Sequence, residues 1–316
     1  MTTVPILFAF DGNMMLPAGV CLSSLLESAN SDTFYDIFIL HSDKTVISDT
    51  ILYGLPAHYG NCRIIDRTIA DDFESSHQVR GITQATYYRL LAPKLIPEYE
   101  KILYSDVDVI FREDLSRFYL TEIGECYFGG VDNCSVLRPG VQSYLAEKLG
   151  LDYKKGYYYA GNLIINSKAL LRDGIIKEFI RLGKQSFQQQ DMDIINIACN
   201  GRFFPLGPSF CLTVQLYDLI LTRRDEMDAI FSHEELTHAL EKGIVHYNGA
   251  KPWKEACPNM DIWWSFYRKS IFFDEVFCRD FWKGQRDLLT NLPFMKRLKL
   301  VLRYPLDKKT VTRQDV

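Results

Sequence analysis

The segment Lys101-Ile102-Leu103-Tyr104-Ser105-Asp106-Val107-Asp108-Val109-Ile110-Phe111 constrains this chain more than any other. An apolar, β-prone run leads into two acids one residue apart and then returns to apolar residues. In an extended backbone residues i and i+2 point to one side, so Asp106 and Asp108 converge at the end of a largely buried strand. Two close carboxylates repel, and burial raises the cost. A divalent cation relieves both problems. A hard, oxygen-rich site suits Mn²⁺ or Mg²⁺, which also bind phosphate oxygens. The first expectation is therefore a metal–diphosphate site. Asp-x-Asp is short and also occurs as solvated loop acids, so the rest of the chain must decide.

The first two-thirds of the sequence alternates strand-like and helix-like segments. Residues 4–10, 36–40, 63–66, 101–105, 126–131, 162–166 and 202–205 read as strands. Residues 16–30, 46–59, 83–91, 167–184 and 191–198 read as helices, with stops expected at Gly60 and near Pro93. Such alternation predicts an α/β fold with a mostly parallel central sheet flanked by helices. In that architecture ligands bind beyond the carboxyl ends of the strands. Asp11-Gly12-Asn13 follows the first strand, where it forms either a simple turn or part of a site. There is no Gly-x-Gly-x-x-Gly and no Walker A sequence, which disfavours dinucleotide-dependent redox chemistry and P-loop chemistry.

At 316 residues the chain is long enough for a large core, and 47% hydrophobic content is ordinary for a soluble protein. No apolar stretch approaches a membrane span, and the N-terminal residues lack a signal-peptide layout. The eight cysteines are scattered without a Cys-x-x-Cys pair, so free thiols are expected rather than staples or a cysteine zinc site. Residues 283–316 carry nine Lys/Arg and three Asp/Glu, or +6, which leaves −10 for the remaining residues out of the net −4. An acidic body disfavours nucleic-acid binding.

A second cluster, His246-Tyr247-Asn248-Gly249-Ala250-Lys251-Pro252-Trp253, follows a strand-like Gly243–Val245. An imidazole can complete a metal shell begun by two carboxylates, a glycine lets backbone approach an anion, and a lysine offers a point charge to phosphate. The plainer alternative is a core histidine and a surface lysine.

With these blocks stand Phe8-Ala9-Phe10-Asp11-Gly12-Asn13, Ala85-Thr86-Tyr87-Tyr88-Arg89-Leu90, Tyr158-Tyr159-Ala160-Gly161-Asn162-Leu163-Ile164-Ile165-Asn166 and Gln190-Asp191-Met192-Asp193-Ile194-Ile195-Asn196. In this order they make the chain resemble glycosyltransferase family 8, retaining sugar-nucleotide transferases of GT-A type. The likeness is greatest to bacterial lipooligosaccharide and lipopolysaccharide galactosyl- or glucosyltransferases, and it spans about residues 4–255. It implies a catalytic domain over residues 1–255 and a helical C-terminal region over 256–316. It implies that Ala9, Asp11 and Asn13 hold uridine and ribose, and that Arg89 reaches the diphosphate or sugar. Asp106 and Asp108, with Val107 between them, and His246 would bind Mn²⁺, with Mg²⁺ as the alternative. Gly249 and Lys251 would meet phosphate oxygens. Ala160 and Gly161 would face the sugar, and Asp191 and Asp132 are the candidate catalytic acids. Two departures matter. Tyr159 stands where the family carries Asn before the Ala-Gly pair, although Asn162 is available as a replacement amide. Met192 stands where the family carries Gln, and a thioether cannot serve as that carbonyl's nucleophile or strong dipole.

The resemblance implies a UDP-hexose donor, galactose or glucose, and a cell-surface glycan or lipid-linked oligosaccharide acceptor. Residues 294–304 read as a basic amphipathic helix. Either it packs on the domain, or it holds the protein peripherally on the anionic cytoplasmic face of the plasma membrane, the expectation that the resemblance favours. A nucleotidyltransferase and a sugar-nucleotide-binding protein with a decayed active site are the competing functions.

Overall fold

The computed structural model describes residues 1–42, 51–69, 85–290, 293–296 and 298. Seven strands build the central sheet: β1 (Thr2–Ala9), β2 (Thr33–Ser42), β3 (Cys62–Ile69), β4 (Lys101–Ser105), β6 (Phe128–Gly130), β7 (Asn162–Asn166) and β8 (Phe203–Pro205). Their order is β3-β2-β1-β4-β7-β6-β8. All neighbours run parallel except β7, which is antiparallel to both β4 and β6. A small second sheet takes β5 (Val109–Ile110), β10 (Val245–His246) and β9 (Leu212–Thr213), in the order β5-β10-β9.

Side-chain alternation explains why this sheet carries two cores. Val4, Ile6 and Phe8 of β1, Tyr35, Ile37 and Ile39 of β2, and Leu103 of β4 face one side and join Leu22, Leu25 and Leu26 of the helix Met15–Glu27. Leu7, Phe38, Leu40, Ile102 and Tyr104 face the other, against Ile194, Ile195, Phe179 and Leu170. Strands β1, β2 and β4 are therefore apolar on both faces, as a covered parallel sheet requires. A third cluster seats Trp263, Trp264 and Tyr267 of the helix Met260–Lys269 against Val20, Ile110, Val245 and Tyr247. Those aromatics are core packing, and Phe272 closes against Gly19, where a Cβ would stand 2.6 Å from its ring.

Several boundaries depart from expectation. The helix expected over 167–184 is two, Ser167–Arg172 and Ile175–Leu182, because Gly174 takes φ 70° between them. Pro93 does not end the helical run at 91. It sits in the first turn of a new helix, Ala92–Leu95, where a missing N–H costs nothing. Of the expected helix 46–59, residues 46–50 lie outside the described residues, and the remainder is a 3₁₀ turn and the helix Leu55–Tyr59, stopped as expected by Gly60 at φ 74°. All eight cysteines are free thiols. No helix among the described residues is long and apolar enough to cross a membrane.

Candidate active site

The two acids meet at the junction of the two sheets. Strand β4 ends at Ser105, and the Asp106 N–H donates to the Gly161 carbonyl at 2.8 Å. The chain turns at the buried Val107, and Asp108 leads into β5. Because β5 pairs antiparallel with β10, His246 lies opposite Val109, beside that turn. The convergence expected from strand periodicity is thus produced by a turn between sheets. His246 Nε2 stands 3.6 Å from Asp106 Oδ2 and 3.3 Å from Asp108 Oδ1. One ligand atom from each of the three residues falls within a 4.8 Å group. Gly161 is required here: a Cβ would come within 2.2 Å of His246 Cε1 and 3.0 Å of Asp106 Oδ2.

The charges in this corner are strongly coupled. Burial opposes ionisation of Asp108, but His246 and Lys251 hold its carboxyl well below the usual range. Burial likewise disfavours the imidazolium, yet Asp108 lifts His246 to about 10. Lys251 Nζ donates to Asp108 Oδ2 and to the Tyr247 carbonyl at 2.6 Å. In this arrangement the Lys251 ammonium faces Asp108 directly. Two carboxylates and one imidazole in such proximity are also a fitting donor set for a hard divalent cation.

Arg89 joins this corner to the next acid. Its buried guanidinium donates to Asp106 Oδ1 at 2.8 Å and to the Ala160 carbonyl at 2.6 Å, and its Nε lies 3.3 Å from Asp191 Oδ2. It also stacks 4.2 Å over the Tyr104 ring, whose hydroxyl donates to Asp106 Oδ1 at 2.6 Å. Asp191 opens the helix Asp191–Ala198, entered through Gln190 at φ 48°. Burial pushes the Asp191 carboxyl up to about 6, against Arg89 and assisted by Asp106.

These groups line a cavity of about 740 Å³ together with Ala9, Asp11, Val107, Ala160, Gly161 and Lys251. Four expected residues lie outside its wall. Asn13 is exposed, and its N–H is taken by Asp11 Oδ1 at 2.9 Å. The Asp132 carboxylate accepts from Ser135 N at 3.4 Å, and burial, opposed by backbone donors, pushes it up to about 6. Asn162 is buried in β7, its Oδ1 unpartnered among the described residues. Gly249 has only Val214 within 4.0 Å of a Cβ position. Tyr159 and Met192, the two departures, both line the cavity.

A second polar part of the lining was not anticipated. Asp193, buried, accepts hydrogen bonds from the Tyr144 hydroxyl at 2.5 Å, the Tyr157 hydroxyl and the Gln189 N–H at 2.8 Å. It thereby ties the helix Pro139–Tyr144 to the segment that precedes Asp191. Asn196 clamps the Tyr158 backbone from both sides, at 2.8 and 2.9 Å. Asp193 and Asn196, at i and i+3 on a helix whose other polar residue is Asp191, were the one local signal, and they do not name their partners.

Comparison with known proteins places this geometry. The model of "Glycosyl transferase family 8" matches residues 5–257. The chain belongs to glycosyl transferase family 8. As a family 8 glycosyltransferase it is similar to General stress protein A of Bacillus subtilis, 22% identical over 258 residues covering 77% of this chain and 85% of that one. A solved active-site mutant of LgtC is 26% identical with a TM-score of 0.72, over 86% of this chain and 98% of that chain. A second LgtC structure, described as a galactosyltransferase in complex with donor and acceptor sugar analogs, is 25% identical with a TM-score of 0.69, over 89% and 99%. The bifunctional glycosyltransferase WbbM shares the fold at 20% identity and a TM-score of 0.71, and this chain spans 52% of it.

Proposed function

We propose that this family 8 enzyme is a retaining hexosyltransferase that moves galactose or glucose from a UDP-sugar to a cell-surface glycan or lipid-linked acceptor. The observation that carries the reading is the Arg89 guanidinium, which joins Asp106 of the carboxylate–histidine triad, the Ala160 carbonyl and Asp191 within one cavity. The donor and acceptor analogs named for LgtC support the two-substrate assignment.

Asp106, Asp108 and His246 would hold a divalent cation, Mn²⁺ or Mg²⁺. When bound, it supplies Lewis-acid neutralisation of the leaving diphosphate. Lys251 adds a point charge on the same side, shared between Asp108 and a phosphate oxygen. Ala9 ends β1 and Asp11 and Asn13 follow it, where the nucleoside would lie. As the bond from sugar to diphosphate breaks, positive charge develops at the ring. The Asp191 carboxylate, kept in place by Arg89, offsets that charge. The acceptor hydroxyl attacks the face from which UDP departs, and its proton passes to the leaving phosphate. Met192 lines the cavity but offers no nucleophile. Asp191 takes the catalytic role in preference to Asp132, whose carboxylate caps a turn.

The basic segment 294–304 would hold the enzyme on an anionic, cytoplasmic membrane face. Most of it lies outside the described residues, and Phe294 and Met295 within it are exposed. UDP release from a panel of UDP-sugars, with Mn²⁺ and with EDTA, tests the function. Mn²⁺-dependent hydrolysis of UDP-galactose or UDP-glucose is expected. Failure to bind UDP would overturn the reading.

A further inference from the structure

The cations of the cavity wall fall into two classes. Arg89 is committed to Asp106 and Asp191, and Lys251 to Asp108. Arg138 also lines the cavity, yet its guanidinium makes no hydrogen bond or ion pair among the described residues. The groups on which its charge acts are ordinarily neutral, the Cys134 thiol and the Tyr159 hydroxyl. Its backbone is not loose: Arg138 N donates to Ser135 O at 3.0 Å, and its carbonyl accepts from Val141 at 2.8 Å and Gln142 at 3.1 Å.

The same cavity is lined by two more uncommitted donors. Gln188 and Gln189 line the cavity with exposed side-chain amides that make no hydrogen bond among the described residues. Asp193 holds these two pieces of wall together, through Tyr144 of the helix that Arg138 precedes and through the Gln189 N–H. Asn133, only 3% exposed, lines the same wall with its Oδ1 unpartnered. In the wall carrying Asp106, Asp108 and His246, both acids already have a cationic partner, Arg89 and Lys251. This one presents a guanidinium on a hydrogen-bonded backbone and two amides, none of them paired with a carboxylate among the described residues, an arrangement suited to a carboxylate or phosphate on a polyhydroxyl ligand.

We propose that Arg138, assisted by Gln188 and Gln189, forms an acceptor subsite for an anionic sugar, one that carries a carboxylate or a phosphate. The proposal rests on the sugar-nucleotide reading above, which assigns the triad wall to the donor and leaves this one to the acceptor. The acceptor hydroxyl would then be oriented through a charge remote from the reacting carbon. That is binding energy of the kind that raises turnover as well as affinity.

The test is binding of three probes to the enzyme with UDP and Mn²⁺: methyl galactoside, methyl glucuronide and galactose 6-phosphate. At least one anionic probe should bind about tenfold or more tightly than the neutral one, by an amount that shrinks with added salt. Arg138→Gln should erase that difference and Arg138→Lys should keep part of it, while UDP affinity stays unchanged in both. Equal binding of all three probes to the wild type would overturn the proposal. So would loss of UDP affinity in Arg138→Gln, which would place the arginine on the donor diphosphate. Failure of the wild type to bind UDP at all would instead sink the sugar-nucleotide reading, and this inference with it.

Discussion

The two walls of the cavity are built on opposite plans. The triad wall joins a turn of three residues to a histidine and a lysine remote in sequence, and its two acids are answered by Arg89 and Lys251. The far wall is assembled from three stretches around Asp193, and it leaves the Arg138 guanidinium and two glutamine amides without partners among the described residues. A wall whose charges answer one another holds its geometry before any ligand arrives. A wall with unanswered donors has its complement on the substrate. The first suits a constant feature such as a diphosphate, and the second suits whatever distinguishes one acceptor from another.

That contrast can be broken experimentally, most severely at Asp108. Asp108→Asn removes a negative group that faces both His246 and Lys251. It should weaken Mn²⁺-dependent UDP binding by about 100-fold or more, seen by calorimetry, while circular dichroism stays native. Unchanged metal-dependent affinity would dissolve the triad assignment. Gly161→Ala should come next. The added methyl cannot coexist with the His246 ring in its present place, so about 10- to 100-fold in metal affinity should go. Overpacking should also remove about 1–3 kcal/mol of stability.

Asp193→Asn probes the other wall. It replaces the carboxyl that accepts from two tyrosine hydroxyls and one backbone N–H. About 1–3 kcal/mol of stability should be lost in denaturant titration, with UDP affinity little changed. A larger effect on UDP than on stability would erase the distinction between the walls.

The pH dependence has a definite sign. Asp191 is raised to about 6 by burial, against Arg89, so the carboxylate that offsets ring charge is lost as pH falls through that value. Turnover should drop tenfold per unit below about 6 in the metal-loaded enzyme, and Asp191→Asn should be slow and flat across the same range. The linkage to stability runs the other way. A carboxyl raised in the folded state stabilises it when protonated, so this contribution is full below the ordinary carboxylate range and is lost as pH rises through about 6. The smallest effect should follow deletion of residues 291–316, which should lower binding to anionic vesicles and leave UDP-sugar hydrolysis intact. Equal vesicle binding with and without these residues would remove the membrane role.

How much was legible follows the same division. The central sheet could be read because apolar alternation is local and its strands are covered on both faces. The Asp106-x-Asp108 turn, His246 and Lys251 could be read because each is a short motif at a strand end. Arg89 was legible only through resemblance, since nothing in its own segment says that it will reach Asp106, Ala160 and Asp191 together. The Asp193 network was missed because a buried acid declares that it has partners without naming them, and Tyr144 and Tyr157 lie far from it in sequence. Asp132 shows the converse: an acid placed after a strand can cap a turn and leave the cavity wall to others. The break at Gly174 was missed because helical periodicity runs through it, and a positive φ is a property of the fold as much as of the residue.

The most direct test of the central claim is a calorimetric titration of UDP into the 316-residue chain with Mn²⁺ and with EDTA. Binding that requires Mn²⁺ in the wild type and disappears in Asp108→Asn is the predicted result. UDP binding of equal strength in EDTA, or no UDP binding under either condition, would contradict a carboxylate–histidine site built for a metal-bridged diphosphate.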